Sequence, residues 1–230
     1  MTSNLSHVLS QLSTHYQTLG KLPRALLMAT GVLMLTGATA LALRPAPLPD
    51  LSQGHHLRKA DFYTLWNKGE LVVLMRHAER CDQSTRPCLA QADGITVKGS
   101  EVAHQIGQAF QTLGLDNARI YNSPVLRTEQ TAMYAFNRIT SNEEWLANCR
   151  NSILNDVLQH KENGHNLILV THSECIDEME KLLGANDSAP IPFATSLIVS
   201  VSPDNHGAKV LGYVDAQDWG KVISKRPKTF

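Results

Sequence analysis

Residues 72–82 read VVLMRHAERCD and join an apolar run to a dense group of charged side chains. The run at 71–75 (LVVLM) has the length and continuous hydrophobicity of a strand covered on both faces, as in a parallel sheet. Arg76 and His77 follow it directly. In open α/β sheets, ligands bind at the carboxyl ends of the parallel strands. The stretch therefore predicts a strand that brings an arginine and a histidine to a ligand site.

Two further candidate strands are also followed by an arginine or a histidine. The segment 118–122 (ARIYN) is followed within five residues by Arg127, and the segment 166–170 (NLILV) is followed closely by His172. If these runs are parallel strands of one sheet, their carboxyl ends lie at the same edge as that of 71–75. The pattern predicts two arginines and two histidines at one edge.

The intervals between the runs have helical patterns. Thr96 is predicted to be the N-cap of the next helix, and Ser123 and Pro124 the N-cap and first residue of another that ends near Asn137. Two more helices are predicted to end near Gly164 and Gly184. The last runs, 196–201 and 209–214, are predicted to close the sheet as an antiparallel pair. This order indicates an α/β protein with three layers, a doubly wound, mostly parallel sheet carrying helices on both faces.

The N-terminal part of the chain contains a long apolar segment. Residues 25–43 carry no charge, and as a helix they would rise about 28 Å, close to the thickness of a bilayer core. We expect an N-terminal hydrophobic helix, either a transmembrane signal anchor or a signal peptide that is cleaved, with a buried soluble helix as the third possibility. Polar residues 1–24 precede it, a proline-rich linker at 44–58 follows it, and 59–230 are predicted to form one domain. The anchor and the signal peptide both export that domain.

The chain has four cysteines, and an even number in an exported domain favours disulfides. Three pairings are possible. Cys81 and Cys88 lie at either end of a short loop, so a bridge between them is favoured, which leaves Cys149 to pair with Cys175. A zinc site and four free thiols are the alternatives, although the spacing of a zinc motif is absent.

The residue types at the predicted edge suit a phosphoryl group. The chain has 21 Lys and Arg residues and 21 Asp and Glu residues, and its formal net charge is therefore zero. No overall positive charge favours nucleic acid as a partner. Arginine guanidinium groups bind phosphoryl oxygens through two parallel hydrogen bonds. A neutral histidine attacks phosphorus, and a second histidine stabilises the charge that develops. This chemistry requires no metal and no other cofactor.

The motifs LMRHAE, YNSPVLRTEQTA and LVTHSE together resemble the three motifs of the histidine phosphatase superfamily, which includes the cofactor-dependent phosphoglycerate mutases. The resemblance covers nearly all of residues 70–185. It implies that His77 is the phosphorylated nucleophile and that Arg76, Arg127 and His172 complete the phosphate pocket.

A narrower resemblance concerns the substrate. The stretch VVLMRHAERCDQSTRPCL, followed by GITVKG, is similar to exported phosphatases that act on a heptose phosphate of the lipopolysaccharide core. The likeness implies a lipopolysaccharide core sugar as substrate and a periplasmic location, with contact to the inner membrane through 25–43 if that segment is not cleaved. A phosphatase for another phosphosugar or small phosphomonoester is the first alternative. A phosphosugar-binding module without catalysis is the second.

The sequence departs from the superfamily pattern at one position. Many members have a glutamate that protonates the leaving oxygen, and the stretch EEWLANC places Asn148 there instead. An amide is not a general acid. We expect the tentative proton donor to be Glu79 or Asp82, on the loop that follows the nucleophile, ahead of Glu143 or water.

Overall fold

The structure is a computed structural model, and it describes most of the chain. The described residues are 47–137, 140–185, 190–204 and 207–227, and in the N-terminal segment 20, 26, 28–30, 32–34 and 36. The chain divides into two compact units, Met1–Ala46 and Pro47–Phe230.

In the first unit, the described residues between 26 and 36 are helical. The large apolar side chains among them are exposed, from 62% for Val32 to 78% for Met34. Most of the predicted membrane segment 25–43 lies outside the described residues. No helix within the described part of the chain has both the length and the hydrophobicity to cross a membrane.

The second unit contains a six-stranded sheet. Its strands are β1 Leu71–Arg76, β2 Ala118–Asn122, β3 Ser141–Asn142, β4 Asn166–Thr171, β5 Ser196–Val201 and β6 Ala208–Val214. Their order across the sheet is β3-β2-β4-β1-β5-β6. The first four are parallel to one another, and β5 and β6 are antiparallel to their neighbours. The mostly parallel sheet and its closing antiparallel pair are therefore confirmed, whereas the two-residue β3 was not predicted.

Helices cover both faces of this sheet. They are α1 His56–Lys59, α2 Phe62–Lys68, α3 Val97–Leu113, α4 Leu126–Phe136, α5 Ile153–His160, α6 Ser173–Leu182 and α7 Trp219–Ser224. Side chains of β1 alternate between two separate apolar clusters: Val73 packs in the cluster that contains Phe110 of α3, and Val72 packs in the one that contains Met179 of α6. This burial on both sides explains why the strand is apolar from Leu71 to Met75.

The boundaries of two helices test the capping predictions. The hydroxyl of Thr96 accepts a hydrogen bond from the N–H of Gly99 at 2.9 Å, so Thr96 caps α3 as predicted. The predicted cap of α4 at Ser123 is wrong, because the helix begins two residues later than predicted, with Val125 as the N-cap and Leu126 as the first residue. The N–H of Ser123 donates instead to the carbonyl of Val170 on β4 at 3.0 Å, which keeps Ser123 in an extended conformation.

The compact unit begins earlier than the sequence indicated. Residues from Pro47 onwards, which were expected to form a linker at 44–58, belong to it. Leu51 is fully buried, and its N–H donates to the carbonyl of Tyr213 on β6 at 2.9 Å. A Cβ at Gly212 would lie 2.2 Å from the carbonyl oxygen of Pro49, so the close approach of this segment to β6 requires glycine.

The four cysteines form two disulfides. Cys81 is bonded to Cys88, and Cys149 to Cys175, with Cα atoms 5.4 and 5.5 Å apart. Both separations are ordinary for disulfides, and the favoured pairing is confirmed. Cys175 lies in the first turn of α6, so its bridge fixes the beginning of that helix.

Candidate active site

The polar side chains that follow β1, β2 and β4 lie at one edge of the sheet. Arg76 is paired with Thr171 across β1 and β4, and Asn122 with Val170 across β2 and β4. The ladder continues past the strands, because the N–H of His77 donates to the carbonyl of Thr171 at 2.9 Å. The backbone of the site is thus part of the sheet.

His77 is a buried imidazole with a defined tautomer. Its exposed fraction is 3%, and its Nδ1 lies 2.8 Å from the carbonyl oxygen of Ala78. A carbonyl only accepts hydrogen bonds, so Nδ1 carries the hydrogen and Nε2 keeps a free lone pair in the neutral ring. Nε2 is therefore the atom of His77 that is available for attack.

His172 has the opposite tautomer. Its Nδ1 lies 3.2 Å from a terminal nitrogen of Arg127, and its Nε2 lies 2.9 Å from the hydroxyl of Ser123. A guanidinium only donates, so Nδ1 of His172 accepts and its Nε2 carries the hydrogen that is donated to Ser123. The three side chains, of which Ser123 and Arg127 follow β2 and His172 follows β4, form one network.

Both imidazoles are neutral near pH 7. The ring centroids of His77 and His172 are 5.5 Å apart. Burial lowers the pKa of His77 to about 3; the Ala78 carbonyl opposes this shift, and the positive charges of Arg127 and Arg76 reinforce it. Burial, followed by the charge of Arg127, lowers the pKa of His172 to about 4. A neutral His77 is the form that can act as a nucleophile.

The two predicted arginines each present an unused donor. The Nε atoms of Arg76 and Arg127 are buried and have no hydrogen-bond partner within the described part of the chain. The terminal nitrogen of Arg76 donates to the carbonyl of Ile191, and its guanidinium carbon lies 4.0 Å from the ring centroid of Phe193. Buried unpartnered donors on charged groups are costly, so these two indicate that the site is made for an anionic ligand.

Two charged residues near the site were not predicted. Burial lowers the pKa of Arg127, and the positive charge of Arg80 lowers it further. Arg80 follows His77 by three residues on the loop that leaves β1, and this position in the stretch RHAER was the available signal. Glu174 lies in the first turn of α6. Its negative charge acts to raise the pKa of Arg76, Arg127 and His172, against the effect of burial.

The two carboxyl groups expected to supply a proton are both engaged elsewhere. Glu79 accepts from Arg86 at 2.9 Å and from the hydroxyl of Thr96 at 2.8 Å. Asp82 accepts two hydrogen bonds from Arg80. Burial raises the pKa of Glu79, but the hydrogen bonds from Thr96 and Arg86 outweigh it and leave a lowered pKa. The hydrogen bond from Arg80 lowers the pKa of Asp82. Both groups are therefore carboxylates near pH 7, a state that accepts protons rather than donates them.

The described residues hold no cluster of three or more His, Cys, Asp or Glu side chains suited to a metal ion. The candidate ligand-binding groups of the site are the guanidinium and imidazole groups named above.

The curated proteins similar to this chain are heptose phosphate phosphatases. No family model matches the chain. It is 38% identical over 115 residues to the lipopolysaccharide core heptose(II)-phosphate phosphatase of Escherichia coli O6:K15:H31 (strain 536). The aligned residues make up 48% of this chain and 56% of that protein, so the chain spans about half the length of the curated relatives it matches.

Solved structures with a similar fold include phosphatases. A phosphoserine phosphatase from Entamoeba histolytica, solved in complex with 3-phosphoglyceric acid, matches with a TM-score of 0.50 and 13% identity, over 65% of this chain and 98% of that chain. At this identity the likeness concerns the fold alone. The protein histidine phosphatase SixA in complex with tungstate has a TM-score of 0.47 and 11% identity, over 64% of this chain and 98% of that chain. The narrower resemblance in the sequence, to phosphatases that act on a heptose phosphate of the lipopolysaccharide core, is confirmed by these curated relatives.

Proposed function

We propose that the chain is a phosphomonoesterase in which His77 carries the phosphoryl group during turnover. The observation that carries this proposal is the state of the site: a buried neutral imidazole with a free Nε2 lone pair lies among two guanidinium groups whose Nε donors are unused. The curated relatives are phosphatases by name, which supports the same chemistry.

The first step transfers the phosphoryl group to the protein. The Nε2 lone pair of His77 forms the N–P bond while the P–O bond to the alcohol breaks, and the alcohol oxygen takes a proton from solvent. Arg76 and Arg127 hold the equatorial oxygens, whose charge they neutralise. His172 lies within 3.2 Å of Arg127 and keeps its guanidinium in place.

The second step regenerates the histidine. Water attacks phosphorus, the N–P bond breaks, and its electron pair returns to Nε2 of His77 as inorganic phosphate is released. The attacking water loses a proton in this step. Glu79 and Asp82 are paired carboxylates with lowered pKa values, which makes them weak bases as well as poor acids, so the proposed acceptor of that proton is solvent.

The proposed substrate is a phosphorylated sugar, and the first choice is a heptose phosphate of the lipopolysaccharide core. The support is the name of the curated relatives, 38% identical over the aligned 115 residues. The aligned part of this chain includes only about half of those proteins, so the substrate is part of the proposal and not of the comparison.

We also propose that the second compact unit works outside the cytoplasm. Two disulfides are typical of proteins in oxidising compartments such as the periplasm. The exposed apolar side chains of the described helical residues between 26 and 36 are compatible with an anchor in the inner membrane or with a signal peptide.

The test of the activity is hydrolysis of p-nitrophenyl phosphate by the purified full-length protein. We expect turnover by the wild type and a loss of at least about a thousand-fold in His77→Ala, because no other group replaces the nucleophile. Rapid quenching with labelled substrate should trap an acid-labile phosphoprotein in the wild type and none in the variant. Hydrolysis that persists in His77→Ala would rule out the mechanism, and binding of phosphate without turnover in the wild type would favour a binding module.

The test of the substrate is mass spectrometry of lipopolysaccharide from cells with and without the protein. The proposal expects a core that carries more phosphate when the protein is absent. An identical phosphate content in the two samples, from a protein that hydrolyses p-nitrophenyl phosphate, would indicate a different phosphomonoester as substrate.

A further inference from the structure

A short segment, residues 191–195, is hydrogen-bonded to both Arg76 and His77. The carbonyl of Thr195 accepts from the N–H of Arg76 at 3.0 Å, and the N–H of Ala194 donates to the carbonyl of His77 at 3.2 Å. The carbonyl of Ile191 accepts from the guanidinium of Arg76. We refer to 191–195 as the strap.

The strap places one aromatic ring against both functional groups. The ring centroid of Phe193 lies 4.0 Å from the guanidinium carbon of Arg76 and 5.6 Å from the ring centroid of His77. Guanidinium groups are attracted to aromatic faces at such distances. Phe193 is therefore the side chain that the nucleophile and one phosphate-binding arginine share.

The backbone next to Phe193 is in an unusual conformation. Ala194 has a φ of 61°, in the left-handed region that residues other than glycine rarely adopt, and its exposed fraction is 1%. Such strain is retained where the surroundings fix it, and it occurs often at functional sites. Here the fixing contacts are the hydrogen bonds of the strap to Arg76 and His77.

We propose that Phe193 is a positioning residue that holds the guanidinium of Arg76 in its phosphate-binding orientation and shields the ring of His77 from water. The effect on turnover rests on the proposed function, whereas the effects on the titration of His77 and on the binding of phosphate do not. Sequence motifs gave no sign of this role, because the strap lies outside all three.

The two parts of the role depend on different properties of the side chain. The attraction to Arg76 needs an aromatic face, and the shielding of His77 needs only apolar volume. Phe193→Tyr keeps both, Phe193→Leu keeps the volume and removes the aromatic face, and Phe193→Ala removes both. Tyr134→Ala is the matched control, since Tyr134 is an aromatic residue on α4 that is 36% exposed.

The experiment measures two quantities on the full-length protein and the four variants: the pKa of His77 by NMR titration, and the affinity for inorganic phosphate by calorimetry. In Phe193→Ala, we expect the pKa of His77 to rise from about 3 towards its ordinary value, because water reaches the ring. We expect phosphate to bind about five- to thirty-fold more weakly in Phe193→Ala and Phe193→Leu. Phe193→Tyr and Tyr134→Ala should match the wild type in both quantities.

Unfolding midpoints and intact disulfides establish that each variant is folded. If Phe193→Ala does not fold, the comparison of Phe193→Leu with Phe193→Tyr decides the inference through phosphate affinity. A folded Phe193→Leu that binds phosphate as the wild type does would overturn the role towards Arg76. An unchanged His77 titration in folded Phe193→Ala would overturn the shielding. A wild type that binds phosphate but does not hydrolyse esters would refute the phosphatase and leave this inference standing.

Discussion

At the scale of single residues, the site is defined by where hydrogens reside. The carbonyl of Ala78 fixes the hydrogen of His77 on Nδ1, and the guanidinium of Arg127 fixes that of His172 on Nε2. The ring centroids lie 5.5 Å apart. Because the two rings carry their hydrogens on different nitrogens, they present different groups to the site. One ring offers a lone pair, and the other supports an arginine and is itself held by Ser123.

The hydroxyl of Ser123 accepts the hydrogen that His172 carries on Nε2. Replacement by alanine removes a hydrogen bond of 2.9 Å within a buried network. A buried hydrogen bond contributes roughly 1 kcal/mol, so we expect Ser123→Ala to lower kcat/KM by about five- to ten-fold. Ser173→Ala is the control, because the hydroxyl of Ser173 bonds to the carboxylate of Glu174 on the surface. Steady-state kinetics with p-nitrophenyl phosphate measures both, and equal values for Ser123→Ala and wild type would contradict this role.

At the scale of elements, the position of Arg127 depends on how closely α3 packs against α4. A Cβ at Gly107 of α3 would lie 1.7 Å from the carbonyl oxygen of Ala135 on α4. The two helices therefore meet at a distance that only glycine allows. Because α4 carries Arg127 in its first turn, this contact also places the guanidinium at the sheet edge.

We expect Gly107→Ala to destabilise the fold by about 1–3 kcal/mol, since the backbone of α4 has to move away. Gly220 in α7 is the matched control, because a Cβ there has no atom within 4 Å. Gly220→Ala should be neutral or stabilise the protein by up to about 1 kcal/mol through its higher helix propensity. Urea unfolding at pH 7 measures both values. Equal free energies of unfolding for the two variants would show that the helices can separate without cost.

Sequence patterns predicted correctly those strands whose hydrophobic residues follow directly from their burial. The runs at β1, β4 and β5 are apolar because both of their faces are covered, and this is visible without coordinates. The start of α4 was missed because the partner of Ser123 is Val170, 47 residues away in the chain, and local capping rules do not include such a partner. The predicted linker failed for the same reason, since the burial of Leu51 depends on β6.

The positions of the four main site residues were predictable from the sequence, but the surroundings of the nearby carboxyl groups were not. Arg76, Arg127, His77 and His172 follow strands, and the topology of a parallel sheet brings strand ends together. The lowered pKa values of Glu79 and Asp82 were not predictable, because they depend on Arg86, Thr96 and Arg80, whose side chains converge only in the folded loop.

At the scale of the whole molecule, the buried histidines make stability depend on pH. The pKa of His77 is lowered to about 3 and that of His172 to about 4 in the folded protein, whereas unfolded histidine has a pKa near 6.5. Between these values the unfolded chain binds protons that the folded chain does not. Stability is therefore fully present above about pH 6.5 and is lost as the pH falls towards the folded values.

We expect the midpoint of thermal unfolding to fall as the pH is lowered from 7 to 5, before carboxylates with lowered pKa values, such as that of Glu79, begin to contribute. The variants His77→Asn and His172→Asn should each show a weaker dependence in this interval. His104→Asn is the control, because the ring of His104 is exposed on α3. Calorimetric scans at several pH values give the slopes, and the same slope in all four proteins would contradict a contribution from the two buried rings.

The sheet ladder continues into His77 and Ser123 and fixes the backbone of the proposed catalytic centre. The reacting atoms are fixed to the same framework that holds the fold together, so any displacement of them disturbs the whole domain. Loops without such hydrogen bonds to the ladder are less constrained than these strand ends. In related proteins built on the same frame, we expect those loops to differ, and with them the alcohol that is accepted, while the proposed handling of the phosphoryl group stays the same.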